Sequence, residues 1–284
     1  MPYAHPEVLV STAWVAEHLN DPGLRLIEVD VDTTAYDSGH IPGAVGWNWQ
    51  SQLNDPVRRD IPDKRAFARL LGEAGVTRKT TVILYGDNNN WFAAFAFWLL
   101  QLYGHPVVRL MNGGRAKWVA EGRALETGRP RVAATSYPVP KKVNVALRAK
   151  RPDVEKALAG RQTVLVDVRS VPEYVGDIIA PPGMTETAQR PGHIPGAINV
   201  PWAQAVAPDG TFKPREELAL LYKKAGVADK KKKSVIAYCR IGERSSHTWF
   251  ALKYLVGVPS VRNYDGSWTE WGNLVGAPIA KGAG

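Results

Sequence analysis

The 284-residue chain has one cysteine, Cys239. A single thiol excludes an intramolecular disulfide and, with it, a secreted fold stapled by disulfide bridges. It also excludes a structural zinc site built from several cysteines. The six histidines are scattered, so no metal centre is expected. Long apolar runs are missing too. The longest, residues 91–100, is about half of what a membrane-spanning helix needs. The N-terminus lacks a basic flank followed by an apolar stretch, so no secretory signal is expected and a reducing cytoplasm is the simplest compartment. No zinc-finger, helix-turn-helix or aromatic RNA-binding signature is present, which argues against a nucleic-acid partner.

Hydrophobic residues make up 45% of the chain and charged residues 22%, a balance that can bury a core and that sets disorder aside. The charge is uneven. Residues 1–142 hold 16 basic and 14 acidic side chains, whereas residues 143–284 hold 20 and 13. A positive field over the second half would draw in a small anion. The densest basic run, 230–233, sits between a helical pattern and an apolar strand and reads as a solvated loop.

Self-similarity is the strongest signal. Gly39-His40-Ile41-Pro42-Gly43-Ala44 recurs 153 residues later as Gly192-His193-Ile194-Pro195-Gly196-Ala197. The same spacing pairs Tyr85 with Tyr238, Gly113 with Gly266 and Trp118 with Trp271. So long a period means a two-copy duplication, not a solenoid of ~20–50-residue repeats. Strands are predicted over 24–30, 80–85 and 107–110 in the first copy and over 163–168, 234–238 and 260–264 in the second. Helices are predicted over 214–224 and 245–256. Such alternation predicts an α/β fold, each copy a mainly parallel sheet flanked by helices. The expected domains are 1–125 and 146–284, joined by a linker, 126–145, that Pro130, Pro138 and Pro140 keep extended.

Cys239 ends the apolar run Ser234-Val235-Ile236-Ala237-Tyr238 and precedes Arg240-Ile241-Gly242-Glu243-Arg244. A helix pattern follows. The thiol is thus placed at the carboxyl end of a strand, where α/β sheets bind ligands. Loop amides, the helix dipole and the two arginines are expected to favour a thiolate. A strand–Cys–loop–helix with a closing arginine also suits a cysteine phosphatase. That chemistry places five residues between Cys and Arg; here there are four, and Ser245 stands where the arginine would be.

These residues resemble a tandem-domain rhodanese, a thiosulfate sulfurtransferase, over essentially the whole length. The resemblance rests on loop 239–244, on the paired Gly-His-Ile-Pro-Gly-Ala motifs and on segment 261–271, which opens Val261-Arg262-Asn263-Tyr264-Asp265-Gly266. The wording of the loop is similar to actinobacterial forms. The resemblance implies two rhodanese-like domains, the first inactive and the second catalytic. In the first, Gly86 stands at the position of Cys239 and Asp87 follows it. It further implies a ping-pong cycle in which Cys239 takes sulfur from a small anionic donor as a persulfide and yields it to cyanide or a thiol. No cofactor is needed, and a monomer is the default expectation. Arg244 and Arg240 would bind the donor's sulfonate, with Ile241, Gly242 and Glu243 completing the loop.

Two positions depart from animal members of the family. Ile241 replaces a lysine, and Glu173 occupies the place of an arginine; Arg190 and Arg244 are the candidates to compensate. Arg240 after the cysteine favours thiosulfate over 3-mercaptopyruvate as donor. Mercaptopyruvate transfer and persulfide delivery to a protein partner remain alternatives. His40 and His193 read as turn-fixing side chains, Asp167 and Arg169 as a structural pair, and His247 as packing.

Overall fold

The computed structural model describes residues 1–160, 162–184, 187–227 and 234–283; the basic run 230–233 lies outside them. The chain divides into two units. One comprises residues 7–144 with 208–211, and the other residues 1–6, 145–207 and 212–284.

Each unit is built on a five-stranded sheet. In the first, β1 (Leu9–Val10), β2 (Leu24–Glu28), β3 (Val45–Gly46), β4 (Thr81–Tyr85) and β5 (Val108–Met111) lie in the order β1-β5-β4-β2-β3. In the second, β6 (Arg148–Ala149), β7 (Thr163–Asp167), β8 (Ile198–Asn199), β9 (Ser234–Tyr238) and β10 (Val261–Tyr264) take the matching order β6-β10-β9-β7-β8. Every pairing is parallel. The central strands β4 and β9 have buried residues at four consecutive positions. That unbroken apolar run is what a parallel strand covered on both faces requires.

The ten-residue apolar run seen in the sequence forms most of helix α1 (Trp91–Leu102), in which every residue except Gln101 is buried. It is a core helix, apolar all round. Among the described residues, no helix is long and apolar enough to cross a membrane. Three short helices frame the second unit's strand ends: α2 (Val171–Val175), α3 (Glu243–Phe250) and α4 (Ser267–Trp271). The rod of α3 continues as a wider π turn over Ala251–Val256. Trp118 packs in the first core with Ile83 and Tyr85, and Trp271 in the second with Ile236 and Tyr238.

The duplicated turn motifs are anchored alike. Tyr85 Oη accepts the Ile41 N–H at 3.0 Å, and Tyr238 Oη accepts the Ile194 N–H at 3.1 Å. His40 stacks on Tyr36 and bonds its carbonyl; His193 does the same with Tyr174. Their role is to fix the turn in both copies.

The chain division falls later than residue 125. The segment 126–144 groups with the first unit. Glu126 forms an antiparallel bridge with His40, the Thr135 N–H donates to Gly72 O at 2.9 Å, and Tyr137 Oη meets His105 Nδ1 at 2.9 Å. These main-chain and side-chain bonds pin the segment to the unit it leaves.

Candidate active site

Cys239 follows the last residue of β9 directly and is buried. Its N–H donates to Ser267 Oγ at 3.1 Å, which fixes the turn out of the strand. The chain then reverses through Gly242, whose φ of 104° is the left-handed conformation that glycine adopts freely. A Cβ there would come within 2.9 Å of the Asp265 backbone, so conformation and space both call for glycine. This turn aims the Gly242 N–H at Cys239 Sγ, 3.2 Å away. It also starts α3 immediately beyond the sulfur, with the helix's positive end beside it.

Two carboxylates share the site. The thiol donates to Glu243 Oε2 at 3.2 Å, and the Ile241 N–H donates to that same oxygen at 3.2 Å. Glu243 Oε1 lies 3.6 Å from Arg240 Nη2 and 3.5 Å from Arg244 Nε. Arg244 grips Glu173 of α2 with both η-nitrogens, at 2.8 and 2.9 Å. Glu173 also caps α2, accepting from Ser170 N–H and Oγ. Burial pushes the Glu173 carboxyl up, but Arg244 and Ser170 outweigh it and hold it below its ordinary value. Ser245 completes the set. Its hydroxyl donates to Asn263 Oδ1 at 2.6 Å and lies 3.5 Å from Sγ.

The expectation of a thiolate favoured by two arginines is therefore corrected. Each guanidinium faces a carboxylate, so the positive charge is locally balanced. Burial, and then Glu243, push the Cys239 thiol above its ordinary value, with Arg244 pulling it back in part. The proposed compensation by Arg190 also changes. Its guanidinium donates to the carbonyls of Gly272, Ala277, Trp271 and Leu274. Arg190 clamps the chain beyond α4, and no role in holding a sulfonate is carried forward for it. His247 lies face to face with Phe212, and burial lowers its imidazole to about 3, so it stays neutral. Asp167 and Arg169 form the expected buried pair.

The rhodanese-like domain family matches residues 11–121 and 151–274. The chain belongs to this family. It is 56% identical to the sulfur carrier protein TtuD of Thermus thermophilus, over 99% of both chains. It is 53% identical to a Mycolicibacterium smegmatis protein provisionally named a thiosulfate sulfurtransferase, over 99% of this chain and 100% of that one. Among solved structures, the anaerobic ergothioneine biosynthesis enzyme of Chlorobium limicola superposes with a TM-score of 0.84 at 26% identity, covering 99% of this chain and 71% of that one.

The first rhodanese repeat has no sulfur at the matching strand end. A Cβ on Gly86 would meet Val29 O at 2.1 Å, so no side chain fits. The Gly86 N–H donates to Asn90 Oδ1 at 3.0 Å, and Asp87 accepts from Val31 and Asp32 N–H. Sequence reasoning missed Ser267, Ser245 and Asn263. Ser267 had a readable signal: its partner 153 residues earlier is Gly114, and both residues adopt positive φ, 50° and 58°.

Proposed function

We propose that this rhodanese is a thiosulfate:cyanide-type sulfurtransferase that carries sulfane sulfur on Cys239. The observation that carries the reading is the Gly242 N–H aimed at a thiol that leads directly into a helix start. A persulfide is an anion at neutral pH, and a fixed amide donor with a helix N-terminus stabilises it without reorganisation. The names of the relatives support sulfur transfer, and a further solved structure with the same fold, a variant named EanB, carries a cysteine persulfide.

The cycle is ping-pong. The Cys239 thiolate attacks the outer sulfur of thiosulfate; a Cys–S–S bond forms, the S–S bond of the donor breaks, and sulfite leaves with the electron pair. Cyanide or an acceptor thiolate then attacks the terminal sulfur and releases the Cys239 thiolate. Arg240 and Arg244 receive the sulfonate oxygens, exchanging part of their present carboxylate contacts for donor oxygens.

The test is thiocyanate formation from cyanide with thiosulfate or 3-mercaptopyruvate as donor. Turnover with thiosulfate that disappears in Cys239→Ser supports the proposal. Turnover only with mercaptopyruvate moves the donor, and none with either removes the enzyme reading. The name of the Thermus relative favours a second reading, delivery of the persulfide to a protein partner. Its mark is a persulfide that forms readily but is released slowly to cyanide.

A further inference from the structure

We infer that Glu243 is the proton acceptor that turns the buried Cys239 thiol into the attacking thiolate, and that it returns the proton when the sulfur leaves. The inference rests on the sulfurtransferase reading for its substrate, but its geometry stands alone. A fully buried thiol, raised by that burial, needs a base within reach. His247, on the same helix, is packed against Phe212 and kept neutral by burial. Glu243 Oε2 is the acceptor in contact with the sulfur, at 3.2 Å.

The charged groups facing this pair come from several elements. Arg240 and Arg244 approach Glu243 Oε1, and Glu173 of α2 holds Arg244 from the far side. Asp265, beside Gly242, is neutralised by Arg148. Two cations therefore border the carboxylate that takes the proton, and a second carboxylate balances one of them.

The proton accounting is closed. As Sγ attacks the outer sulfur its proton passes to Glu243, so Cys–SH and Glu243–COO⁻ become the persulfide and Glu243–COOH while sulfite departs with its electron pair, and the persulfide carries the negative charge. The new carboxylic acid can donate to that sulfur, in the reverse direction of the present hydrogen bond. When the acceptor removes the sulfane sulfur, the regenerated thiolate recovers the proton from Glu243. Neutralising Glu243 has a second consequence. It frees the sides of Arg240 and Arg244 that now face Oε1, which are the donors an incoming sulfonate needs. Thiol activation and anion binding are then one event, and the two arginines favour it only when the anion is present.

The experiment is the rate of sulfur loading from thiosulfate, followed by quenched intact-mass measurement from about pH 6 to pH 9, in the unmodified protein, Glu243→Gln and Glu243→Asp. In the unmodified protein the rate is expected to be flat through neutrality. In Glu243→Gln it is expected to fall about 100-fold near pH 7 and to climb about tenfold per pH unit, approaching the unmodified protein in alkali. Glu243→Asp should restore the flat profile in part. A Glu243→Gln variant that loads as fast as the unmodified protein, or that is slowed by one factor at every pH, overturns the assignment. Alkylation of Cys239 by iodoacetamide in the unmodified protein gives a reading that no folding defect can affect. A rate flat through neutrality supports Glu243 as acceptor, and one that climbs about tenfold per pH unit throughout overturns it. A flat alkylation profile with no loading from thiosulfate would remove the donor and leave the proton acceptor standing.

Discussion

The two repeats end their central strands in the same way and then part. β4 and β9 occupy the same place in their sheets, and Tyr85 and Tyr238 anchor the same turn. One residue later the first copy has Gly86 with a carbonyl against it, and the second has Cys239 with a hydroxyl and an amide arranged around it. The difference extends to charge. Two residues beyond β2 stands Asp30, and two residues beyond β7 stands Arg169. In the first copy Glu28, Asp30 and Asp87 cluster, and burial followed by the two neighbouring carboxyls pushes Asp30 up to about 9. In the second copy Arg169, Arg240 and Arg244 take up the matching region, each beside a carboxylate. A duplicated scaffold can thus hold a sulfur site or fill the same space with a self-satisfied loop, and the scaffold's own bonds do not decide which.

The two repeats differ most in chemistry at the thiol. Cys239→Ser should lower sulfur transfer at least ~1000-fold while leaving the fold intact, because removing a covalent nucleophile removes the pathway. Activity assays with circular dichroism check both halves. Next is the ion pair that ties α3 to α2. Arg244→Met strands the buried Glu173 carboxylate and should cost about 3–5 kcal/mol, whereas changing both partners to apolar residues should cost much less. Denaturant unfolding of the single and double variants reads the difference.

In the first copy, Gly86→Ala should destabilise by roughly 1–3 kcal/mol, because the added methyl must displace a backbone carbonyl. An unchanged unfolding midpoint would mean that the empty strand end is not sterically closed. Tyr238→Phe leaves the buried Ile194 N–H without its acceptor and should cost roughly 1–3 kcal/mol, as should Tyr85→Phe for Ile41. Equal losses would confirm that the two anchors are equivalent.

The carboxyl cluster of the first copy adds a pH dependence. Burial, then Glu28 and Asp87, push Asp30 up from its ordinary value of 3.8 to about 9, so folding retains its proton. That contribution is complete below the ordinary value and is lost as pH rises through the folded one. Asp30→Asn should therefore flatten the decline in stability between about pH 4 and pH 9. Thermal unfolding across that range reads it.

Much of this was legible in the sequence. The duplication, the parallel α/β architecture, the turn-fixing histidines and the strand–Cys–loop–helix all followed from local patterns and from one repeated spacing. What was not legible depends on long-range partners. The Arg244–Glu173 pair joins residues 71 apart, and without it Arg244 reads as a free anion ligand. Glu243 lies four residues from Cys239, but only the turn at Gly242 reveals that its carboxylate folds back onto the sulfur. Arg190 was misread for the same reason. The carbonyls it clamps come from a chain segment more than 80 residues away, and no local motif announces them.

In the proposed cycle sulfur is carried on the second repeat alone, at Cys239. Intact mass after incubation with thiosulfate, with the modified peptide then mapped, tests it most directly. A gain of one sulfur, about 32 Da, located at Cys239, lost on adding cyanide and absent in Cys239→Ser is the predicted result. No gain in the unmodified protein, or a gain that persists in Cys239→Ser, would contradict it.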